Sequence, residues 1–451
     1  MKKMRGESLA SQFSVLMAGL ALGSGFKGRF QRLERRTRTR GSSRVMAAAQ
    51  PSSSLTQQIS PLIQTQVDPE VFNFGVGQPG PDLLEKAFSA LSGCNVFEED
   101  DPSWILQYGT VRGSETFRRE LVKFYNKHAG STASESEVIC STGVSGGLQL
   151  LGSTLGRHGD VVFVEQPTYF LVKDIFDSIG LVTEKAPMQD GAIDFDLLTK
   201  RTEELESGGR KVAFLYCVPV HSNPTAKCYS KAYKEKIIEF CLEKDITLLA
   251  DEVYELLNFG PRSVKSPPFR DLIEKGGKQD SKIISVSSFS KICGPGLRLG
   301  WILAGEEVVS KVKANGLLKS GGGLNPIVAG IMTKALEKGL MEKLLVEEVQ
   351  PNLRKKCESL CEAIDRHLPE CSYVTPEGGY FIFLTFPEEI NCDELFEMSG
   401  SKHKVKFTPG SRCFGPPNSM RLSFAFYGSE EMEEGVLRLR KAIDEYKTIK
   451  S

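Results

Sequence analysis

The chain has 451 residues, enough for two or three domains around a large core. Lys plus Arg and Asp plus Glu both number 57, so the formal net charge is zero and nothing global points to nucleic acid. The 11 cysteines follow no disulfide framework, which fits a reducing compartment.

The N-terminus breaks that balance. Up to residue 50 the chain is rich in Arg and Ser and holds only Glu7 and Glu34 as acids. Such a leader reads as an organellar transit peptide, for a mitochondrion or plastid. The run FSVLMAGLALG behind a basic start also suits a secretory signal, though it is too short to span a bilayer. A third reading is an extension upstream of a cytoplasmic chain that begins at Met46. Residues 1–65 are expected to be a disordered leader. Folded sequence is expected near VFNFGVGQPGPDLL, with residues 66–90 an entry segment packed on a small domain.

From there, apolar runs and helical stretches alternate. EVICSTG, DVVFVEQP, KVAFLYCVP, ITLLADEVY and KIISVSS read as buried strands followed by turn signals. SGGLQLLGSTLG and KAYKEKIIEFCLEK read as helices between them. The pattern predicts an α/β fold, with a mainly parallel sheet covered by helices on both faces, over residues 91–325. After SGGGLNP the character changes, and residues 326–451 are predicted to form a smaller α+β domain. There a long helical stretch through Cys357 and Cys361 leads to the strands SYVTPEGGYFIFLTF and SMRLSFAF. A final amphipathic helix follows, with Ser429 as its N-cap and Met432 in its first turns. Cys357 and Cys361 sit one helical turn apart, but no His or further Cys stands at ligand spacing, so no metal is expected.

Ligands of such sheets gather beyond the carboxyl ends of the strands. One of those ends continues as SSFSKICGPGLRLGW. Lys291 is a useful nucleophile only if burial or a nearby cation lowers its proton affinity, or if it condenses with an aldehyde. Ser288 and Ser290 offer hydroxyl donors, and Arg298 offers a planar fork for a phosphate dianion. Pro295 and Gly296 fit a tight loop that returns Arg298 toward the serines. Pyridoxal phosphate, an aldehyde that carries a phosphate, satisfies both halves. Its pyridine nitrogen calls for an acid. Asp251 ends the run ITLLAD; Glu252 beside it reads as a surface acid. Tyr254 can offer a phenol to the ring hydroxyl, as can the amide of Asn223 in HSNPTAK. Asn-Pro is also an ordinary turn starter, and His221 is given no role. In STGVSGGLQLL, the backbone N–H groups of Val144, Ser145 and Gly146 open a helix and form a second wall for an anion.

Asn223, Asp251, Tyr254, Lys291 and Arg298, in this order and spacing, resemble fold-type I aminotransferases of class I/II. SSFSKICGPGLRLGW is most similar to the branch of 2-aminoadipate and kynurenine aminotransferases. The resemblance runs from about residue 70 to the C-terminus. It implies ping-pong transamination between an L-amino acid and a 2-oxo acid, with pyridoxal phosphate held by Lys291 and Asp251. It implies that Tyr169 stacks on the cofactor ring and that Arg421 grips the substrate carboxylate beside Gly77. It also implies a homodimer in which Tyr108 reaches the neighbouring site. Core packing is the alternative for Tyr169, and a strand-edge position for Arg421. Three positions depart from the family pattern: Ala226 stands where glycine is usual, Glu252-Val253 replaces an acid-proline pair, and Ser145-Gly146 replaces glutamine side chains. Other chemistry of the same scaffold, C–S lyase or decarboxylase, stays open, as does a non-enzymatic aminotransferase-like regulator. No membrane or nucleic-acid partner is expected.

Overall fold

The structure is a computed structural model that describes residues 64, 68, 70–97, 102–260 and 266–450. Apart from Gln64 the leader lies outside these residues, and the described ones belong to a single compact unit.

A seven-stranded sheet is its centre. Its strands run in the order Val138–Ser141, Gly300–Leu303, Ile283–Ser288, Thr247–Asp251, Val212–Cys217, Val161–Val164 and Val182–Lys185. Every pairing is parallel except those of Gly300–Leu303, which runs antiparallel to both neighbours. The central strands are apolar throughout because both faces are covered. Val162, Val164, Tyr216, Leu249 and Ile284 enter one hydrophobic cluster. The alternate residues Val161, Phe163, Leu215, Leu248 and Ile283 enter a second. That alternation is the period of two of a strand, with side chains packed on each face. The five strands anticipated in this region are present, and the sheet is mainly parallel as expected.

Gly300–Leu303 was not anticipated. The chain leaves Ile283–Ser288, makes two short 3-10 turns at Phe289–Lys291 and Pro295–Leu297, and doubles back so that Gly300 pairs with Ser288. Gly300 has to be glycine here, since a Cβ would stand 2.7 Å from Ser287 O and 2.8 Å from Gly143 Cα.

Further along, Phe381–Thr385, Ser419–Ser423 and Thr408–Pro409 form a three-stranded antiparallel sheet. The helices Gln350–His367, Cys392–Ser401 and Ser429–Lys450 accompany it. The expected long helix is interrupted: Gly339, at φ +68, separates Pro326–Glu337 from Leu340–Lys343. Ser429 is the first residue of the last helix rather than its cap, and Gly428 N donates to Glu431 Oε2 at 2.7 Å just before it. The entry segment joins this region directly, as Phe72–Asn73 pairs in parallel with Val405–Lys406. That pairing carries Gly75 and Gly77 across the carboxyl ends of the parallel strands.

Candidate active site

Four parallel strands deliver their following residues to one side of the sheet. Lys291 lies three residues past Ile283–Ser288. Its Nζ donates to Gly77 O at 2.5 Å and stands 5.4 Å from the centre of the Tyr380 ring. The Tyr380 hydroxyl in turn donates to Lys291 O at 2.6 Å. Desolvation lowers the amine from its ordinary 10.5 to about 8, Arg421 and Arg298 push the same way, and Asp251 opposes them.

Asp251 ends its strand and is buried. Oδ2 accepts the Tyr216 hydroxyl at 2.8 Å, and Oδ1 accepts Val253 N at 3.3 Å. Burial raises the carboxyl to about 6; the two hydrogen bonds and Lys291 hold it from rising further. Tyr254, also buried, sits in the turn after Asp251, and desolvation raises its phenol well above the ordinary range. The Asn223 side chain lies close enough to that phenol to oppose the rise.

Arg421 lies in the middle of Ser419–Ser423 and is only 2% exposed. Nη1 donates to Asn223 Oδ1 at 2.8 Å, and Nη2 donates to Gly75 O at 2.8 Å and Thr408 Oγ1 at 3.1 Å. Its guanidinium carbon lies 4.2 Å from the Phe381 ring centre and 5.5 Å from that of Phe170. Nε is buried without a partner. Among the described residues no acid pairs with this cation. A buried arginine left in that state calls for an anion from outside the chain. Gly77 adjoins it: a Cβ there would meet Phe381 Cζ at 3.0 Å and Arg421 Nη2 at 4.0 Å.

A second anion site lies at the N-terminus of the helix Gly143–Leu155, whose cap residue Thr142 makes no side-chain capping bond. Arg298 Nη2 donates to Thr142 O at 2.8 Å, and a Cβ on Gly143 would crowd that guanidinium at 3.0 Å. Burial raises the Tyr169 phenol to about 12; Asp251 pushes the same way, and Arg421, Ser145 and Arg298 oppose it. Gly146 is dictated by packing, since a Cβ would collide with Thr142 Oγ1.

Lys291, Asp251, Tyr254, Asn223, Tyr169, Arg421, Arg298, Ser145 and Gly77 are therefore brought into one group. Two expectations need correction. Ser288 Oγ accepts from Ser290 N at 3.0 Å and donates to Leu299 O at 2.9 Å, so its proton is committed to the backbone, and the Ser290 hydroxyl, 2.7 Å away, donates to it. Glu252 is not a surface acid: it is fully buried, accepts Phe269 N at 2.9 Å and feels Lys234. Tyr108 is 81% exposed beside Gly321 and lies apart from the group within one chain, as a residue expected to serve a neighbouring subunit would. His221, given no role, is buried and held neutral, with Nδ1 3.3 Å from Cys228 Sγ.

Sequence reasoning passed over Tyr216, Tyr380, Phe381 and Phe170. For Tyr216 a signal existed, because a phenol inside the apolar run KVAFLYCVP has to find an acceptor. The aromatic residues around Arg421 gave none, since the sequence does not show which strand residues face that guanidinium.

A lysine with a weakened hold on its proton, an ionisable acid, an uncapped helix start and an unpaired arginine, at the strand ends of a mainly parallel sheet, define the class: an α/β enzyme with a pyridoxal-phosphate site. Residues 69–439 match the family described as aminotransferase class I and II, and the chain belongs to that family. The aromatic-amino-acid aminotransferase 1 of Thermococcus litoralis is 26% identical over 399 residues, 87% of this chain and 92% of that one. The 2-aminoadipate transaminase of Thermus thermophilus is 28% identical over 391 residues, 85% and 93% of the two chains. Among solved structures, the multiple substrate aminotransferase of Thermococcus profundus superposes with a TM-score of 0.74 at 26% identity, covering 88% of this chain and 96% of that one. LysN, the α-aminoadipate aminotransferase of Thermus thermophilus solved with a phosphopyridoxyl-leucine adduct, gives 0.71 at 26% identity, with 84% and 94% covered. The protein is a pyridoxal-phosphate-dependent aminotransferase of fold type I that transfers an α-amino group from an amino acid to a 2-oxo acid.

Proposed function

We propose that the group around Lys291 is the transamination site, with the following division of labour. Bound there, pyridoxal phosphate supplies an aldehyde that condenses with amines and a ring that draws electrons from the substrate Cα. Lys291 Nζ is the attachment point. Once free, that amine titrates at about 8 rather than 10.5, so roughly a tenth of it is unprotonated at neutral pH. It could therefore accept the substrate Cα proton and hold it for return, a role worth roughly 10²–10⁴ in rate. Gly77 O holds Nζ on the substrate side.

Asp251 would pair with the pyridine nitrogen and keep it protonated. Asn223 and Tyr254 would hold the ring hydroxyl, and Tyr169 would cover one ring face. Arg298 and the N–H groups of Val144, Ser145 and Gly146 would receive the phosphate, as would the Ser290 hydroxyl once turned from Ser288 Oγ, while Ser288 shapes the loop that presents Ser290. Arg421 receives the α-carboxylate. The chain's residues fit the cofactor on the donor chemistry alone: an acid for the ring, an uncapped helix start for the phosphate, and an amine released by desolvation.

The observation that carries this reading is the unpaired Arg421 guanidinium in the same buried group as Lys291 and Asp251. The rings of Phe170 and Phe381 beside it favour a donor with an apolar or aromatic side chain. The exposed Tyr108 supports a homodimer in which it completes the neighbouring site. We further infer a large domain over 91–325 and a small one over 326–451, and organellar import if the leader is a transit peptide, with cytoplasmic residence otherwise. No helix among the described residues is long and apolar enough to cross a membrane.

A donor screen with 2-oxoglutarate and pyruvate as acceptors tests the reading. Aromatic and large apolar donors should release their 2-oxo acids in step with acceptor amination. Ammonia or carbon dioxide from a single amino acid, with no acceptor aminated, would contradict it.

A further inference from the structure

Tyr216 stands behind Asp251 and belongs to no assignment made so far. It lies in the interior of Val212–Cys217, adjacent to the strand that ends in Asp251, with its Cα paired to Leu249. The ring is fully buried and packs edge-on against Phe176 with centroids 6.1 Å apart. Among the described residues, Asp251 Oδ2, at 2.8 Å, is the acceptor of its hydroxyl. The other carboxylate oxygen takes the Val253 N–H at 3.3 Å. The carboxylate is thus gripped from two sides, and its orientation is fixed by a phenol that is itself locked in the core.

We propose that Tyr216 is the positioning residue for Asp251: its phenol holds the carboxylate ionised and aimed, and so sets how firmly the cofactor's pyridine nitrogen keeps its proton. The inference rests on the reading of Asp251 as the acid facing that nitrogen. A donor to a carboxylate stabilises the anion and lowers its proton affinity. Where the acid and the pyridine nitrogen share one proton, removing the donor moves that proton toward the oxygen. The charged and titratable groups acting on Asp251 are Lys291, Glu252, Tyr254 and Tyr169, and none of them replaces a donor lost from Oδ2. Burial works against the anion already, which is why a neutral donor there matters.

The test is Tyr216→Phe in the holoenzyme loaded with pyridoxal phosphate labelled with ¹⁵N in the ring. The nitrogen NMR signal should move toward the unprotonated position. Turnover should fall about tenfold with KM for the amino acid nearly unchanged, the loss expected when one hydrogen bond to a charged group is removed. Combined with Asp251→Ala, the substitution should cost nothing further, because its effect runs through that carboxylate. A wild-type nitrogen signal and turnover in Tyr216→Phe, or losses that add in the double variant, would overturn the inference. Should Tyr216→Phe not fold, difluorotyrosine introduced at 216 keeps the shape with a stronger donor, and the signal should move the opposite way; no movement would overturn the inference equally. The underlying reading fails separately: Asp251→Ala alone would then leave the nitrogen signal at its wild-type position.

Discussion

Replacing Arg421 by lysine separates the carboxylate clamp from mere positive charge. Of the guanidinium's five N–H groups, Asn223, Gly75 and Thr408 each occupy one. The Nε–H and one Nη1–H remain for a substrate. An ammonium has three donors and no fixed fork, and Asn223 Oδ1 and Gly75 O would compete for all of them. The variant should therefore lose about two charge-assisted bonds to the α-carboxylate, at about 1.5–3 kcal/mol each. New contacts to the ammonium offset part of this, so about 3 kcal/mol, or roughly 100-fold in kcat/KM, is expected. The assay is the half-reaction: loaded enzyme is mixed with an amino acid, and conversion of the cofactor's absorbance is followed. The same measurement with the corresponding decarboxylated amine is the control, and its slow rate should be the same in wild type and variant. Equal losses for both donors would show that Arg421 acts through folding or cofactor binding. A loss under about threefold for the amino acid would show that the carboxylate goes elsewhere.

Other expectations follow from individual residues. The Asp251 carboxyl stands at about 6 against an ordinary 3.8, so the cofactor-free protein loses about 3 kcal/mol of stability as pH rises through that window. Asp251→Asn should then make the cofactor-free protein about 1–3 kcal/mol more resistant to urea at pH 7 while slowing turnover of the loaded enzyme; lower stability would contradict the buried-charge argument. Ala226 sits at φ +60, where an L-residue costs about 1–2 kcal/mol. A glycine there loses a buried methyl and gains unfolded-state entropy, so Ala226→Gly should change stability by under about 1 kcal/mol in chemical denaturation; a loss above about 2 kcal/mol would show that the methyl's packing outweighs the strain. Coexpression of Tyr108→Ala with Lys291→Ala should restore activity that neither variant has alone, because mixed dimers rebuild one intact site; no restoration would remove Tyr108 from the partner's site.

Much of this architecture was legible because the central strands are buried on both faces. Runs such as VVFV, VAFLYC and TLLAD have no polar alternation, and each is followed by the residues that carry chemistry. Gly300–Leu303 escaped because GWIL follows a loop already read as a phosphate-binding return, and its antiparallel direction depends on the doubling back at Pro295. Lys291, Asp251 and Asn223 could be named because strand ends converge. Ser288 could not be judged, since whether a hydroxyl faces an anion or caps its own turn depends on a rotamer, and here Leu299 O takes the proton. Glu252 was misplaced because charge alone suggests solvent, whereas Lys234 and the Phe269 N–H supply its partners from distant sequence. Tyr216 was hidden for the opposite reason: in an apolar run its ring is unremarked, and only the adjacent strand shows what its hydroxyl meets.

The most direct test is to reduce the loaded enzyme with borohydride, digest it and locate the pyridoxyl group by mass spectrometry. The adduct should sit on Lys291, and Lys291→Ala should yield no adduct and no turnover. A pyridoxyl group on a different lysine, or turnover retained in Lys291→Ala, would contradict the placement of the whole site.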